Sequence, residues 1–287
     1  MNQKYYYMAT KTKSPRQEIK ITRLSRDFDF PAEAFIPIKS GEDVDSFISR
    51  KGGTMPATIC VVVGEGGSGK TTYLINKMAK IIDYDNTKKC LYVSAEMTSF
   101  DNKELSDELP QLLNLDTFYL SDYDNPMEAM EDVLKMGWDY VIIDSFSDVK
   151  DKIKESDTCK LTASSIESWL LKLMTNTCMG DNDENKFTAF DVILHITKGG
   201  TYTGSTKLKH NTTSMLYVKV DKKTDERYLV YDKNRRGRTN KRLVMGLVDG
   251  DIVYNTDKFY TDYGINLVGE NLASKLENIS GVMTKLG

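Results

Sequence analysis

The sequence predicts an α/β fold with a mostly parallel sheet, helices on both of its faces and antiparallel strands at the C-terminal edge. Two observations predict it. Short runs that are apolar throughout alternate with stretches whose apolar residues recur at helical spacing, the pattern of strands buried on both faces and joined by crossover helices. After residue 212 the pattern changes to short β-prone runs separated by polar turn clusters, which reads as hairpins.

Taken in order, residues 58–63 (TICVVV) are continuous, rich in β-branched side chains and too short for a helix. Residues 71–84 place Leu74, Ile75, Met78, Ile81 and Ile82 on one helical face. Residues 90–94 (CLYVS) and 117–120 (TFYL) are the next strands. Pro126, preceded by Asp124 and Asn125, sits at a first helical position and opens a helix to about residue 136. Residues 140–143 (YVII) and 192–196 (VILHI) are strands flanking a helix over 165–175, where Ile166, Trp169, Leu170, Leu173 and Met174 are helically spaced. Residues 176–190 read as a polar surface loop. Runs at 214–220, 227–232, 243–248 and 252–254 supply the hairpins. Weak patterns over 1–50 and 256–287 mark these as extensions of a core spanning 51–255. No internal repeat is visible.

Composition narrows the function classes. With 40% hydrophobic and 28% charged residues, the 287-residue chain is an ordinary globular protein. No apolar stretch approaches the roughly 20 residues that span a bilayer, and the N-terminus lacks a signal peptide's apolar core. The implied location is the cytoplasm, the host's if the chain is phage-encoded, with no membrane partner. Four scattered cysteines and two histidines argue against a zinc site; Cys60 and Cys90 read as buried strand residues. The net charge of −3 conceals segregation. Residues 205–242 hold 12 Lys/Arg against 4 Asp/Glu, residues 95–186 hold 8 against 21, and residues 1–27 hold 7 against 2. A basic segment of this kind could contact phosphate, or could face an acidic neighbouring subunit.

Residues Gly64-Glu65-Gly66-Gly67-Ser68-Gly69-Lys70-Thr71 match G-x-x-x-x-G-K-[ST] at every fixed position. They lie between a predicted strand and a predicted helix, where that motif must lie to bind phosphate. The glycines let backbone N–H groups curl round a β-phosphate, and the helix N-terminus adds its dipole. Lys70 reaches the β- and γ-phosphates and Thr71 offers its hydroxyl to Mg²⁺; Thr72 completes the ATP-contacting set. The alternative for this stretch is a glycine-rich turn without ligand. Asp144, ending the run 140–144, is the expected magnesium carboxylate. Glu96, just past the strand at 90–94, is placed to orient or deprotonate the attacking water.

These pieces resemble the RecA-like P-loop ATPases, and within them the bacterial DNA repair ATPases of the RadA (Sms) type. The resemblance rests on 91–96 (LYVSAE), 141–145 (VIIDS), 194–198 (LHITK) and 233–237 (KNRRG), the last resembling that family's K-N-R-F-G with Arg236 in place of Phe. It covers roughly residues 40–255, and DnaB-type hexameric helicases share the same core. It implies that His195 senses the γ-phosphate. It also implies that Lys233 and Arg235 act as fingers at the nucleotide of an adjacent subunit, neutralising charge during phosphoryl transfer, so that the chain forms a ring or filament. RadA proteins also carry a four-cysteine zinc module and a Lon-protease-like domain. The cysteine spacing does not supply the first and residues 256–287 are too few for the second, so a stand-alone core is expected.

In RecA-like assemblies DNA meets loops after the Asp144-type and His195-type strands, here about 146–163 and 198–212. The second is the cleaner candidate. Lys198, Lys207 and Lys209 could contact phosphates of single-stranded or branched DNA, and Tyr202 could stack on a base. The alternative function is a nucleotide-controlled oligomeric assembly that does not act on DNA; a small-molecule kinase lacks support in the Lys-x-Arg segment.

Overall fold

All seven residues of strand β1 (Thr58–Gly64) are buried, as only a central strand covered on both faces permits. In the computed structural model, which describes residues 30–196, 206–256 and 259, β1 pairs in parallel with β5 (Ala189–His195) and β6 (Ser214–Val220). Strand β5 pairs with β4 (Tyr140–Asp144), β4 with β2 (Cys90–Ser94) and β2 with β3 (Thr117–Tyr119), all parallel. Past β6, strands β7 (Arg227–Asn234), β8 (Arg242–Val248) and β9 (Asp251–Tyr254) are antiparallel. The sheet order is β3-β2-β4-β5-β1-β6-β7-β8-β9. Contacts divide the chain into two units, Met1–Ala32 and Glu33–Gly287, and the sheet belongs to the second.

Side chains alternate between the two faces of β1, and each face has its own core. Cys60 and Val62 pack with Tyr73, Leu74, Ile75 and Met78 of helix α2 (Lys70–Tyr84), after the short α1 (Asp45–Ile48). Ile59, Val61 and Val63 face the other core. That core takes Met130 and Leu134 of α4 (Pro126–Lys135), Phe146, Val149 and Ile153 of α5 (Phe146–Glu155), and Ile166 and Leu170 of α6 (Ala163–Cys178). Helix α3 (Ser99–Leu105) follows β2 and opens on a reciprocal cap between Thr98 and Asp101. Among the described residues no helix is long and apolar enough to cross a membrane.

One ion pair is buried in the first core. Lys77 Nζ of α2 lies 2.7 Å from Asp191 Oδ2 of β5, with side chains 3% and 4% exposed. The Tyr140 hydroxyl donates to the same oxygen at 2.5 Å.

Three segments differ from the sequence expectation. Residues 146–155, read as part of a DNA-facing loop, are helix α5: Ser145 accepts from the Asp148 N–H as N-cap, and Phe146, Val149 and Ile153 are buried at helical spacing. The surface loop expected over 176–190 is shorter, because α6 runs to Cys178 and β5 starts at Ala189. Ile38, Val44, Phe47 and Ile48, before the expected core boundary, are buried in the first core; the Phe47 ring lies 5.1 Å from that of Tyr231. Here too the chain clamps the end of β7: Arg50 N–H donates to Arg236 O at 2.9 Å, and Asn234 Nδ2 to Ile48 O at 3.0 Å.

Candidate nucleotide site

Four adjacent parallel strands, β2, β4, β5 and β1, deliver the site at their C-terminal ends, the edge where open α/β sheets bind ligands. Register aligns the groups: Ser94 is level with Asp144, and His195 is level with Gly64. Past Ser94 the chain crosses the end of β4, with the Ala95 and Glu96 N–H groups donating to Asp144 O at 2.8 and 3.3 Å. Glu96 thereby emerges beside Asp144.

The loop after β1 turns tightly into α2. A side chain at Gly64 would meet Ser68 Oγ at 2.5 Å and Val218 O at 2.6 Å, and Gly69 caps α2 at φ 94°, a left-handed conformation that favours glycine. Glu65, Gly66 and Gly67 are exposed, Ser68 is buried and Thr72 half-buried. Lys70 is buried, its Nζ donating to Gly64 O at 3.1 Å and Glu65 O at 2.9 Å. Burial lowers its pKa, against the opposing pull of Asp144 and Glu96.

Asp144 is 1% exposed. Its Oδ2 accepts from Thr71 Oγ1 at 2.8 Å and from the Tyr92 hydroxyl at 3.2 Å, while its Oδ1 is buried without a hydrogen-bond partner. Burial pushes the carboxyl from 3.8 up to about 6, with Glu96 adding to the rise and the Thr71 and Tyr92 hydroxyls opposing it. An orphaned carboxylate oxygen beside a threonine hydroxyl fits a hard divalent cation, which takes oxygen ligands and keeps several waters. Across the site His195 Nε2 lies 3.3 Å from Glu96 Oε2 and 3.9 Å from Asp148 Oδ2. The contact with His195 lowers the Glu96 pKa and raises that of the ring.

The fold thus gathers the loop from Gly64 to Thr72, Glu96, Asp144 and His195. It does not bring Lys233 or Arg235 to the same place. Lys233 is level with Met215, which is level with Val61, and Arg235 N–H donates to Thr213 O, nearer still to the start of β1. At roughly 3.3 Å per position they sit on the order of 10–15 Å back along the sheet from the loop, beyond the reach of their side chains to the loop of their own chain. Lys233 Nζ instead donates to the His210 and Thr212 carbonyls at the end of helix α7 (Thr206–Asn211). Lys198 and Tyr202 lie outside the described residues. Lys207 and Lys209 fall on α7, with side chains likewise outside them.

Three neighbours of the site escaped the sequence reading. Tyr92 looked like plain strand. Arg227 begins β7, yet its Cδ passes 3.8 Å from where a Gly69 side chain would start. Asp148 was one acid in a mixed-charge run, although Ser145-x-x-Asp148 is a helix-start signature that would have singled it out.

No family model matches the chain. Over 240 residues it is 25% identical to the DNA repair protein RadA of Halalkalibacterium halodurans, covering 82% of this chain and 50% of the relative. Over 202 residues it is 27% identical to RadA of Streptococcus pyogenes serotype M6, covering 70% of this chain and 42% of that one. The chain therefore spans about half or less of the length of these curated relatives. Among solved structures it resembles a KaiC-like protein from Pyrococcus horikoshii, with a TM-score of 0.54 at 16% identity over 76% of this chain and 98% of that one. It also resembles the flagellar accessory protein FlaH from Methanocaldococcus jannaschii, with a TM-score of 0.53 at 14% identity over 77% and 98%. The fold is the RecA-like ATPase fold, and the likeness to RadA is distant and confined to the core.

Proposed function

We propose, from a RecA-like ATPase core similar to that of RadA, that this chain binds ATP with Mg²⁺ and hydrolyses it as an oligomeric motor or remodeller on single-stranded or branched DNA. The observation that carries the ATPase reading is the convergence of the glycine-rich loop, Glu96, Asp144 and His195 on one edge of four adjacent strands. In this reading the expected core of 51–255 also takes in the buried residues between 38 and 48, the rest of 1–50 and 256–287 are extensions, and the chain works in the cytoplasm.

The loop N–H groups and Lys70 hold the phosphates; Lys70 exchanges its two carbonyl partners for phosphate oxygens without leaving the loop. Thr71 and Asp144 hold Mg²⁺, which supplies charge neutralisation at the β- and γ-phosphates. Glu96, kept ionised by His195, accepts a hydrogen bond from the attacking water and orients it. His195 donates to the γ-phosphate. Because Lys233 and Arg235 lie far from the loop of their own chain, any part they play at a nucleotide is at that of a neighbouring subunit, so the complete site belongs to a homo-oligomer. Lys198, Tyr202, Lys207 and Lys209 are the proposed DNA contacts.

The test is ATP hydrolysis with and without single-stranded DNA, in the parent and in Lys70→Ala and Arg235→Ala variants. Stimulation by DNA that disappears when Lys198, Lys207 and Lys209 are replaced supports the reading; no DNA binding at low salt with an ATP analogue present overturns the DNA part. The acidic net charge of −3 favours a second reading, an assembly ATPase indifferent to DNA, which predicts ATP-dependent oligomers with slow turnover unchanged by DNA.

A further inference from the structure

Asp148 has no role in the reading above, yet it is the best-anchored acid around His195. It occupies the first turn of α5, whose Phe146, Val149 and Ile153 are fully buried. Its Oδ2 accepts from the Ser145 hydroxyl while its own N–H donates back to Ser145 Oγ at 3.4 Å. Ser145 Oγ in turn lies 2.8 Å from Ser147 Oγ. The carboxylate therefore has little freedom to follow His195 if the ring moves. Glu96, by contrast, stands past the end of β2 with its side chain 49% exposed.

We infer that Asp148 is a positioning residue, which together with Glu96 holds the His195 ring with Nε2–H between two carboxylates and keeps it an imidazolium facing the γ-phosphate. The geometry is a fork: Nε2 lies 3.3 Å from Glu96 Oε2 and 3.9 Å from Asp148 Oδ2. Among the described residues, the charged groups facing the ring come from every neighbouring element. Glu96 after β2 and Asp148 on α5 favour the cation; Lys70 on α2 opposes it; Asp144 on β4 senses the ring's charge. The Glu96 hydrogen bond is the largest influence raising the ring's pKa, against burial and Lys70.

The division of labour follows from charge. A γ-phosphate arriving opposite an imidazolium competes with Glu96 for Nε2–H, which frees Glu96 to turn to water. Asp148, fixed by Ser145, stays and keeps the proton on the ring throughout. Without Asp148 the charge of the ring would rest on the exposed Glu96 alone until the phosphate arrives, and a neutral imidazole is a weaker partner for phosphate. This inference rests on the proposed ATPase site for its catalytic consequence, but not for the state of the ring.

The chain has only two histidines, so imidazole NMR of the nucleotide-free and metal-free protein resolves His195 directly, with His210→Gln making the assignment. In the parent the His195 midpoint is expected above that of an ordinary histidine. Asp148→Asn should move it down, Asp148→Glu should restore part of the displacement, and both variants should melt with the parent. In the ATPase assay the alkaline limb of kcat, which reports the nucleotide-bound protein, should move down with Asp148→Asn as well. A parent ring that titrates at the ordinary value, or a midpoint indifferent to Asp148→Asn, overturns the inference. A ring that responds while the kcat limb stays fixed leaves Asp148 in its place but removes His195 from the proposed phosphate contact.

Discussion

Asp144→Asn should make the nucleotide-free protein more stable at pH 8 while destroying its use of Mg²⁺ and ATP. The carboxyl is 1% exposed and its pKa is pushed from 3.8 to about 6, chiefly by burial. Such a group holds its proton more tightly folded than unfolded, so the parent loses stability as pH rises from about 4 to about 6 and stays at the lower level above. At about 1.4 kcal/mol per pH unit of displacement, ionising Asp144 costs the fold on the order of 3 kcal/mol at pH 8. The asparagine avoids that cost and its oxygen still accepts from Thr71 and Tyr92. Its N–H₂ replaces the partnerless Oδ1, and an unsatisfied buried donor costs on the order of 1–2 kcal/mol. The net gain at pH 8 is therefore about 1–2 kcal/mol, and at pH 4, where the parent carboxyl is protonated, it should vanish or reverse. Urea unfolding of both proteins at the two pH values measures it. A variant less stable than the parent at pH 8, or a gain equal at both pH values, would refute the reasoning.

Other outcomes follow from the same packing. Lys77→Met leaves the buried Asp191 side chain without its cation and should cost about 3–5 kcal/mol, whereas Lys77→Met with Asp191→Leu and Tyr140→Phe, which removes the hydroxyl that donates to Asp191, should recover most of it; denaturant midpoints decide, and equal losses would refute a dominant role for the unpaired partner. Gly64→Ala forces a Cβ to within 2.5 Å of Ser68 Oγ and 2.6 Å of Val218 O, and should destabilise by about 1–3 kcal/mol. Gly66→Ala meets nothing within 4 Å, so it should melt with the parent and lose only nucleotide affinity, which thermal melts with and without ATP will separate. Glu96→Gln and Arg235→Ala should each be inactive alone and recover partial ATPase activity when mixed in one oligomer; no recovery in confirmed mixed oligomers counts against fingers acting in trans.

The parallel half of the sheet was legible because burial on both faces confines the polar residues of β1, β2 and β4 to the strand ends, at Thr58, Ser94 and Asp144, and leaves uninterrupted apolar runs between. The start of β5 was not. Asp191 interrupts its apolar run, and what allows a carboxylate there is Lys77, 114 positions away on α2. Helix α5 was hidden for a related reason: its three buried residues stand among seven polar ones, and only the Ser145 cap marks where it begins. Site residues at strand ends could be found by position, since a strand's last residue is also the sheet's rim. Asp148 could not be found that way, because its place beside His195 is set by the packing angle of a helix. The separation of Lys233 and Arg235 from the loop was equally invisible, being a property of strand register rather than of any local pattern.

The clamp between residues 48–50 and 234–236 gives the segment before β1 a part in aiming the basic turn after β7. Gly237 makes the dependence strict, since a side chain there would sit 2.8 Å from Ile48 O. Replacing Asn234 by Ala would keep every strand, the buried residues before β1 and every residue proposed to bind nucleotide, yet would lose the bond from Asn234 Nδ2 to Ile48 O. Such a variant should bind nucleotide as the parent does while presenting its basic turn loosely to whatever lies beside it, so that what the core can do alone and what it can do next to a neighbour become separable by one substitution.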